Sequence, residues 1–131
     1  MPVTVTICDE TTGGAAARRF TLDFPIERLT VRELIRERVY QEVQEYNRRK
    51  DGSFSGLVQP SEAEVALNGF KVRAGRDINW KTQFEKACEA FEQNRIIVLV
   101  GDTQADSLDA EVELTRGVEV TFLRLVMLVG G

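Results

Sequence analysis

The sequence closes on Leu128-Val129-Gly130-Gly131, and a glycine pair behind an apolar stretch suits one kind of chemistry, that of an acyl donor. Without a Cβ, such a segment threads a narrow channel, reaches φ values closed to other residues and exposes its carbonyl from either side. At the usual glycine frequency a given pair of positions holds two glycines by chance in roughly one chain in 200, so the pair needs a fold that presents it. Other chemistry is thinly supplied. The chain has no histidine, which removes Ser-His-Asp and Cys-His catalysis and every His-ligated metal site. Cys8 and Cys88 are too few and too far apart for a zinc motif, and they read as reduced thiols rather than a disulfide. No paired carboxylates or nucleophile–base set emerge, so an enzyme is not expected.

Composition narrows the classes further. The 131 residues fit one domain, with 43% hydrophobic and 29% charged residues, close to globular averages. Seventeen Lys and Arg against twenty-one Asp and Glu give a net charge of −4, which disfavours nucleic acid as a partner. No apolar run reaches the ~20 residues that cross a bilayer, and no leader pattern opens the chain, so a cytoplasmic protein with no membrane partner is expected. Lys50, Lys71, Lys81 and Lys86 are the only lysines and read as ordinary surface cations. Arg18-Arg19 and Arg48-Arg49-Lys50 read as solvated faces, and Trp80 as a core anchor at a helix start.

The elements that must position the glycine pair are legible from periodicity. Val3-Thr4-Val5-Thr6-Ile7-Cys8 and Arg19-Phe20-Thr21-Leu22-Asp23-Phe24 alternate as strands of a hairpin. Val3, Val5 and Ile7 should share a face with Phe20, Leu22 and Phe24, which leaves Cys8 on the outer face. Thr30-Val31-Arg32-Glu33 fits a capping box. It opens a helix with Val31, Leu34, Ile35, Val39, Val43 and Tyr46 on its apolar face, ending near Lys50.

Between 51 and 76 two signals compete. Ser61-Glu62-Ala63-Glu64 resembles another capping box, while Asn68-Gly69 between Val65-Ala66-Leu67 and Phe70-Lys71-Val72 resembles a two-residue hairpin turn. A second amphipathic helix carries Trp80, Phe84, Ala87, Cys88 and Phe91, with Cys88 as a small core residue. Arg95-Ile96-Ile97-Val98-Leu99-Val100 reads as a central strand buried on both faces. Gly101-Asp102 turns the chain, Ser107–Leu114 offers a short pairing segment, and Val118–Leu123 is the last strand, leading into the tail.

This order implies an α+β fold of the β-grasp type: a mixed sheet wrapped on a long helix, with an insertion at about 51–94 that includes the second helix and a tail at about 124–131. The run Ile96-Ile-Val-Leu-Val-Gly-Asp-Thr-Gln104, then Ser107-Leu-Asp109, then Leu114-Thr-Arg-Gly-Val-Glu-Val-Thr-Phe122 and Gly130-Gly131 resembles the ubiquitin-like and sulfur-carrier superfamily. It is similar both to the small sulfur-carrier subunit of molybdopterin synthase and to bacterial ubiquitin-like proteins encoded beside activating-enzyme homologues, some linked to antiviral defence. The resemblance implies a protein modifier that binds no cofactor. An activating enzyme would use ATP to adenylate Gly131, a thioester would follow, and the acyl group would pass to a target amine as an isopeptide. Gly130 and Gly131 would carry activation and conjugation, and Leu128 and Val129 the recognition of the activating enzyme. A conjugating enzyme, a deconjugating protease and target proteins are the further partners implied. Two other readings remain open on the same residues: a sulfur carrier with a thiocarboxylate at Gly131, and a β-grasp binding module that acts without covalent attachment.

Overall fold

A computed structural model describes residues 2–13, 16–61, 63–66 and 69–125. The chain divides into two compact units, 1–34 together with 89–131, and 35–88. The architecture is α+β, with a mixed five-stranded sheet and two helices.

The five-stranded sheet belongs to the first unit. Strand β1 (Val3–Thr11) pairs antiparallel with β2 (Arg18–Phe24) as the alternation predicts. Val3, Val5 and Ile7 stand opposite Phe24, Leu22 and Phe20. The final strand β10 (Glu119–Arg124) lies parallel to β1 and antiparallel to β7 (Ile96–Val100), and β7 turns through Gly101-Asp102 into the short β8 (Thr103–Gln104). The order is β2-β1-β10-β7-β8, so the last strand occupies the centre. Val5, Ile7, Phe24, Ile96, Val98, Val120 and Phe122 are buried, as are Leu29, Val31, Leu34, Leu108 and Leu114 of the same unit.

The apolar run at 95–100 is a correction. Ile96 and Val98 are buried on the inner face, but Ile97 and Leu99, which alternate onto the outer face, and Val100 at the strand end are only half-buried. Composition registers apolar side chains and is blind to which face of the sheet is covered.

Between β2 and the first helix, β3 (Arg28–Thr30) pairs with β9 (Glu111–Glu113) in a separate two-stranded sheet. This places the start of α1 (Val31–Arg49) against the 108–110 loop. Val31 and Arg32 donate their amides to the carbonyls of Ala110 and Leu108 at 3.0 and 2.9 Å. The capping box closes as its spacing predicts. Glu33 N–H donates to Thr30 Oγ1 at 3.1 Å, and Thr30 N–H donates back to Glu33 Oε1 at 3.1 Å. Three of the amides that a helix start leaves open are thereby satisfied. Where α2 (Trp80–Glu92) ends, Asn94 adopts φ +60°, and the amides of Arg95 and Asn94 donate to the carbonyls of Ala90 and Phe91. That is a Schellman cap, and it aims the chain into β7.

In the second unit, Ile35, Val39, Val43 and Tyr46 are fully buried along α1, as the periodicity predicts. Arg38 is buried among them, at 0% exposure. It lies within hydrogen-bond reach of Glu42 at 3.2 Å, whose other oxygen accepts the Leu57 amide at 3.0 Å. One helical turn thus satisfies a buried guanidinium and fixes the start of the following loop. Its i,i+4 spacing is a signal the sequence carries.

The competition at 51–76 resolves to strands. A three-stranded sheet forms from β4 (Ser53–Phe54), β5 (Glu64–Ala66) and β6 (Gly69–Lys71) in the order β4-β6-β5. Glu64 lies in a strand and so does not complete a helical capping box, and Glu62 lies outside the described residues. Gly69 pairs with Ala66 as a strand residue rather than serving as a turn centre. A Cβ there would stand 2.6 Å from the Phe54 carbonyl oxygen at φ +150°, so the close backbone approach is what requires glycine. Gly56 is constrained likewise: a Cβ would lie 2.1 Å from the Phe54 ring, which is itself buried and edge-on to Tyr46.

Phe122→Ala is expected to lower unfolding stability by about 3–5 kcal/mol through the cavity it leaves, measured by chemical denaturation. Arg38→Ala should cost a comparable ~3–5 kcal/mol by leaving the Glu42 carboxylate without its guanidinium, whereas Arg38→Met with Glu42→Gln, which keeps an acceptor for the Leu57 amide, should recover much of that loss. Equal losses in the single and double variants would show that the pair is not coupled.

Candidate functional site

The site is built on β10, the strand that precedes the tail. Its residues alternate: Val120 and Phe122 are buried on one face, while Glu119, Thr121 and Leu123 on the other are half-covered. Thr121 stands between Cys8 and Leu99, and Leu123 between Glu10 and Ile97. One residue past the strand, the Leu125 amide still donates to the Arg95 carbonyl at 2.9 Å, which carries the ladder to the last described position. Leu125 is 39% exposed. Ile97, Leu99 and Leu123, half-buried, and Leu125, exposed, therefore line up as an apolar strip on the outer sheet face, ending at the last described residue.

Polar residues bound the strip. Arg19 on β2 and Glu119 on β10 come within 3.5 Å across the intervening strand β1. Thr4 on β1 donates to Asp23 on β2 at 2.6 Å. Charges sit on the β2 side and apolar residues on the β7 side, giving the face a direction.

Cys8 is the second correction. Strand alternation puts it on the outer face, yet it is fully buried. The neighbouring strands supply the cover, with Arg19 directly opposite on β2 and Thr121 opposite on β10. Its Sγ approaches Glu10 Oε1 at 3.6 Å. Burial pushes the thiol up from its ordinary value, Arg19 pulls it down, and the nearby carboxylates of Glu10 and Glu119 push it up again. A raised value leaves little thiolate near neutrality, so Cys8 is a poor nucleophile here. Cys88 is buried on α2 as its stripe predicts.

The residues assigned to activation and recognition, Gly130, Gly131, Leu128 and Val129, lie outside the described residues. Among the lysines, Lys50 pairs with Asp77 at 2.8 Å and Lys86 donates to Ser61 Oγ at 3.1 Å, while Lys71 and Lys81 are exposed. Arg48 and Arg49 pair with Glu45 and Asp51 on an exposed face, in keeping with a solvated cluster. Arg18 lies over the Phe20 ring, 4.5 Å from its centroid. Trp80 is half-buried rather than a full core anchor. Tyr40 meets it edge-on at 5.2 Å, and Arg36 covers its ring at 5.1 Å. Among the described residues, no three His, Cys, Asp or Glu side chains gather closely enough to hold a metal ion.

The strip itself escapes a reading of the sequence, because 95–100 looks wholly interior. The signal that could have found it is the register in which Leu123 must pair, since it places Leu123 with Ile97 on the sheet face opposite the buried Val98 and Phe122. No protein family, curated protein or solved structure matches this chain.

With native protein near pH 7, alkylation of Cys8 is expected to run at least tenfold slower than in urea-unfolded protein and to accelerate with rising pH, read by intact mass. Equal rates in the two states would contradict its burial.

Proposed function

We propose that this chain is a ubiquitin-like protein modifier of β-grasp type, acting as the substrate of an activating enzyme. The carrying observation is the place of β10. The last strand is gripped between β1 and β7, with register from Thr6↔Glu119 to Thr11↔Arg124. Leu125, the last described residue, still donates its amide to the Arg95 carbonyl, and six residues, 126–131, follow it to the end at Gly131. Six residues span at most about 20 Å. That length lets a partner hold the folded unit by its outer face and take the glycine pair into a separate active site.

The chemistry needs nothing from this chain beyond the acyl group. The Gly131 carboxylate attacks the α-phosphorus of ATP on the activating enzyme, forming an acyl adenylate and releasing pyrophosphate. A cysteine thiolate of that enzyme displaces AMP to give a thioester. A lysine amine of the target then displaces the thiol, loses a proton and leaves an isopeptide bond. Glycine favours each attack because no side chain shields its carbonyl. In this reading the apolar strip of Ile97, Leu99, Leu123 and Leu125 is the docking surface, burying area that non-covalent recognition requires.

The test expresses the chain with an amino-terminal tag in its native cells. Adducts that survive reduction and contain Gly131 joined to lysine, by peptide mass spectrometry, are the expected outcome, and deletion of Gly130 and Gly131 should abolish them. Leu125→Asp should reduce adduct formation tenfold or more without shifting the unfolding midpoint, since that side chain is already partly exposed. A terminal mass in which sulfur replaces one oxygen, without lysine adducts, would overturn the modifier reading in favour of a sulfur carrier. An unmodified Gly131 carboxylate with no adducts would favour a non-covalent binding module.

A further inference from the structure

A cleft of about 260 Å3 opens in the second unit, between the segment after β6 and the start of α2. Pro60, Val72 and Ile78 give it apolar walls, and Ser61, Thr82 and the buried Gln83 contribute polar groups. Arg73 and Arg76 line it as well. This stretch departs from the character of the chain. Between Gly69 and Lys86 there are five cations, Lys71, Arg73, Arg76, Lys81 and Lys86, against Asp77 and Glu85, in a protein of net charge −4. Asp77 is the carboxylate on the cleft wall, and Lys50 engages it at 2.8 Å. Among the described residues no carboxylate pairs with Arg73 or Arg76.

The wall that carries the two arginines is held rigidly. The amides of Val72 and Gly75 donate to the carbonyls of Gly52 and Lys50 at 2.9 and 3.0 Å. Asn47 on α1 clamps Ile78 from both sides, accepting its amide at 2.8 Å and donating to its carbonyl at 3.0 Å. Opposite, Gln83 donates to the Val58 carbonyl at 3.0 Å, and Lys86 holds Ser61 at 3.1 Å. Arg73 and Arg76 are both exposed on the cleft lining, so their guanidiniums stand in water with their charge available to an anion. A backbone held on both sides lowers the ordering entropy lost on binding. Guanidinium groups match phosphoryl oxygens with paired N–H donors. The volume sits at the small end of ligand pockets, and the apolar walls give a place for an organic body as well as the charge.

We propose that this cleft binds a small phosphomonoester, with Arg73 and Arg76 engaging the phosphoryl group, Ser61 and Thr82 donating hydroxyl hydrogen bonds, and Pro60, Val72 and Ile78 receiving the organic part. The proposal does not depend on the glycine pair, so deletion of Gly130 and Gly131 should leave binding unchanged.

The experiment titrates the full chain by calorimetry with AMP, glucose 6-phosphate, adenosine, glucose and inorganic phosphate at matched ionic strength. At least one monoester should bind tenfold or more tightly than its unphosphorylated parent, and the choice between AMP and glucose 6-phosphate identifies the organic class. Arg73→Gln with Arg76→Gln should weaken that binding at least tenfold while the unfolding midpoint stays in place, because both side chains are exposed. Binding of a monoester no tighter than its parent, or unchanged in the double variant, overturns the proposal. Inorganic phosphate binding as tightly as the monoesters would overturn the role of Pro60, Val72 and Ile78 in receiving an organic part.

Discussion

The parallel pairing of the first and last strands is the constraint on which the rest depends. Hairpins and helix caps form from neighbours in the chain, but β1 and β10 meet only after more than a hundred residues have been threaded between them. Bringing distant segments together costs loop-closure entropy, which grows slowly with length, so the pairing survives on what it buries. Ile7, Val120, Phe122 and Val98 supply that burial, one from β1, two from β10 and one from β7. Once β10 is seated, β7 has a partner and β8 has a strand to fold back upon.

That seating gives the outer face its two-part character. The Arg19–Glu119 pair reaches over β1 from one flank of the sheet, while Ile97, Leu99, Leu123 and Leu125 stay half-open on the other. An exposed ion pair of this kind adds little stability. Its consequence lies in position: both charges act on Cys8, whose thiol is pushed up by burial, pulled down by Arg19 and pushed up by Glu119. A partner approaching this face meets a polar margin and an apolar strip beside the departing chain, an arrangement that supports the proposed docking.

The second unit solves a different problem. It carries Arg38 in its interior, where Glu42 one turn on meets its Nε and also accepts the Leu57 amide. Asn47 does the same for the segment before α2, by holding both polar groups of Ile78. Side chains from one helix therefore satisfy backbone groups of two loops that lack regular partners. The Asn47 bonds hold Ile78, one wall of the cleft lined by Arg73 and Arg76.

Much of this was open to reading from the residues alone, for a physical reason. The hairpin register, the Thr30–Glu33 cap and the apolar face of α1 are set by contacts a few residues apart or by alternation, and such patterns are written locally. The glycine pair is likewise plain in the sequence. Four features were decided only in three dimensions: the strand status of Gly69, the burial of Cys8, the half-open face of β7 and the interior place of Arg38. Each depends on which distant segment arrives alongside. Side-chain type states what a residue prefers as a neighbour, and the folded chain alone determines whether that neighbour is a strand, a carboxylate or water.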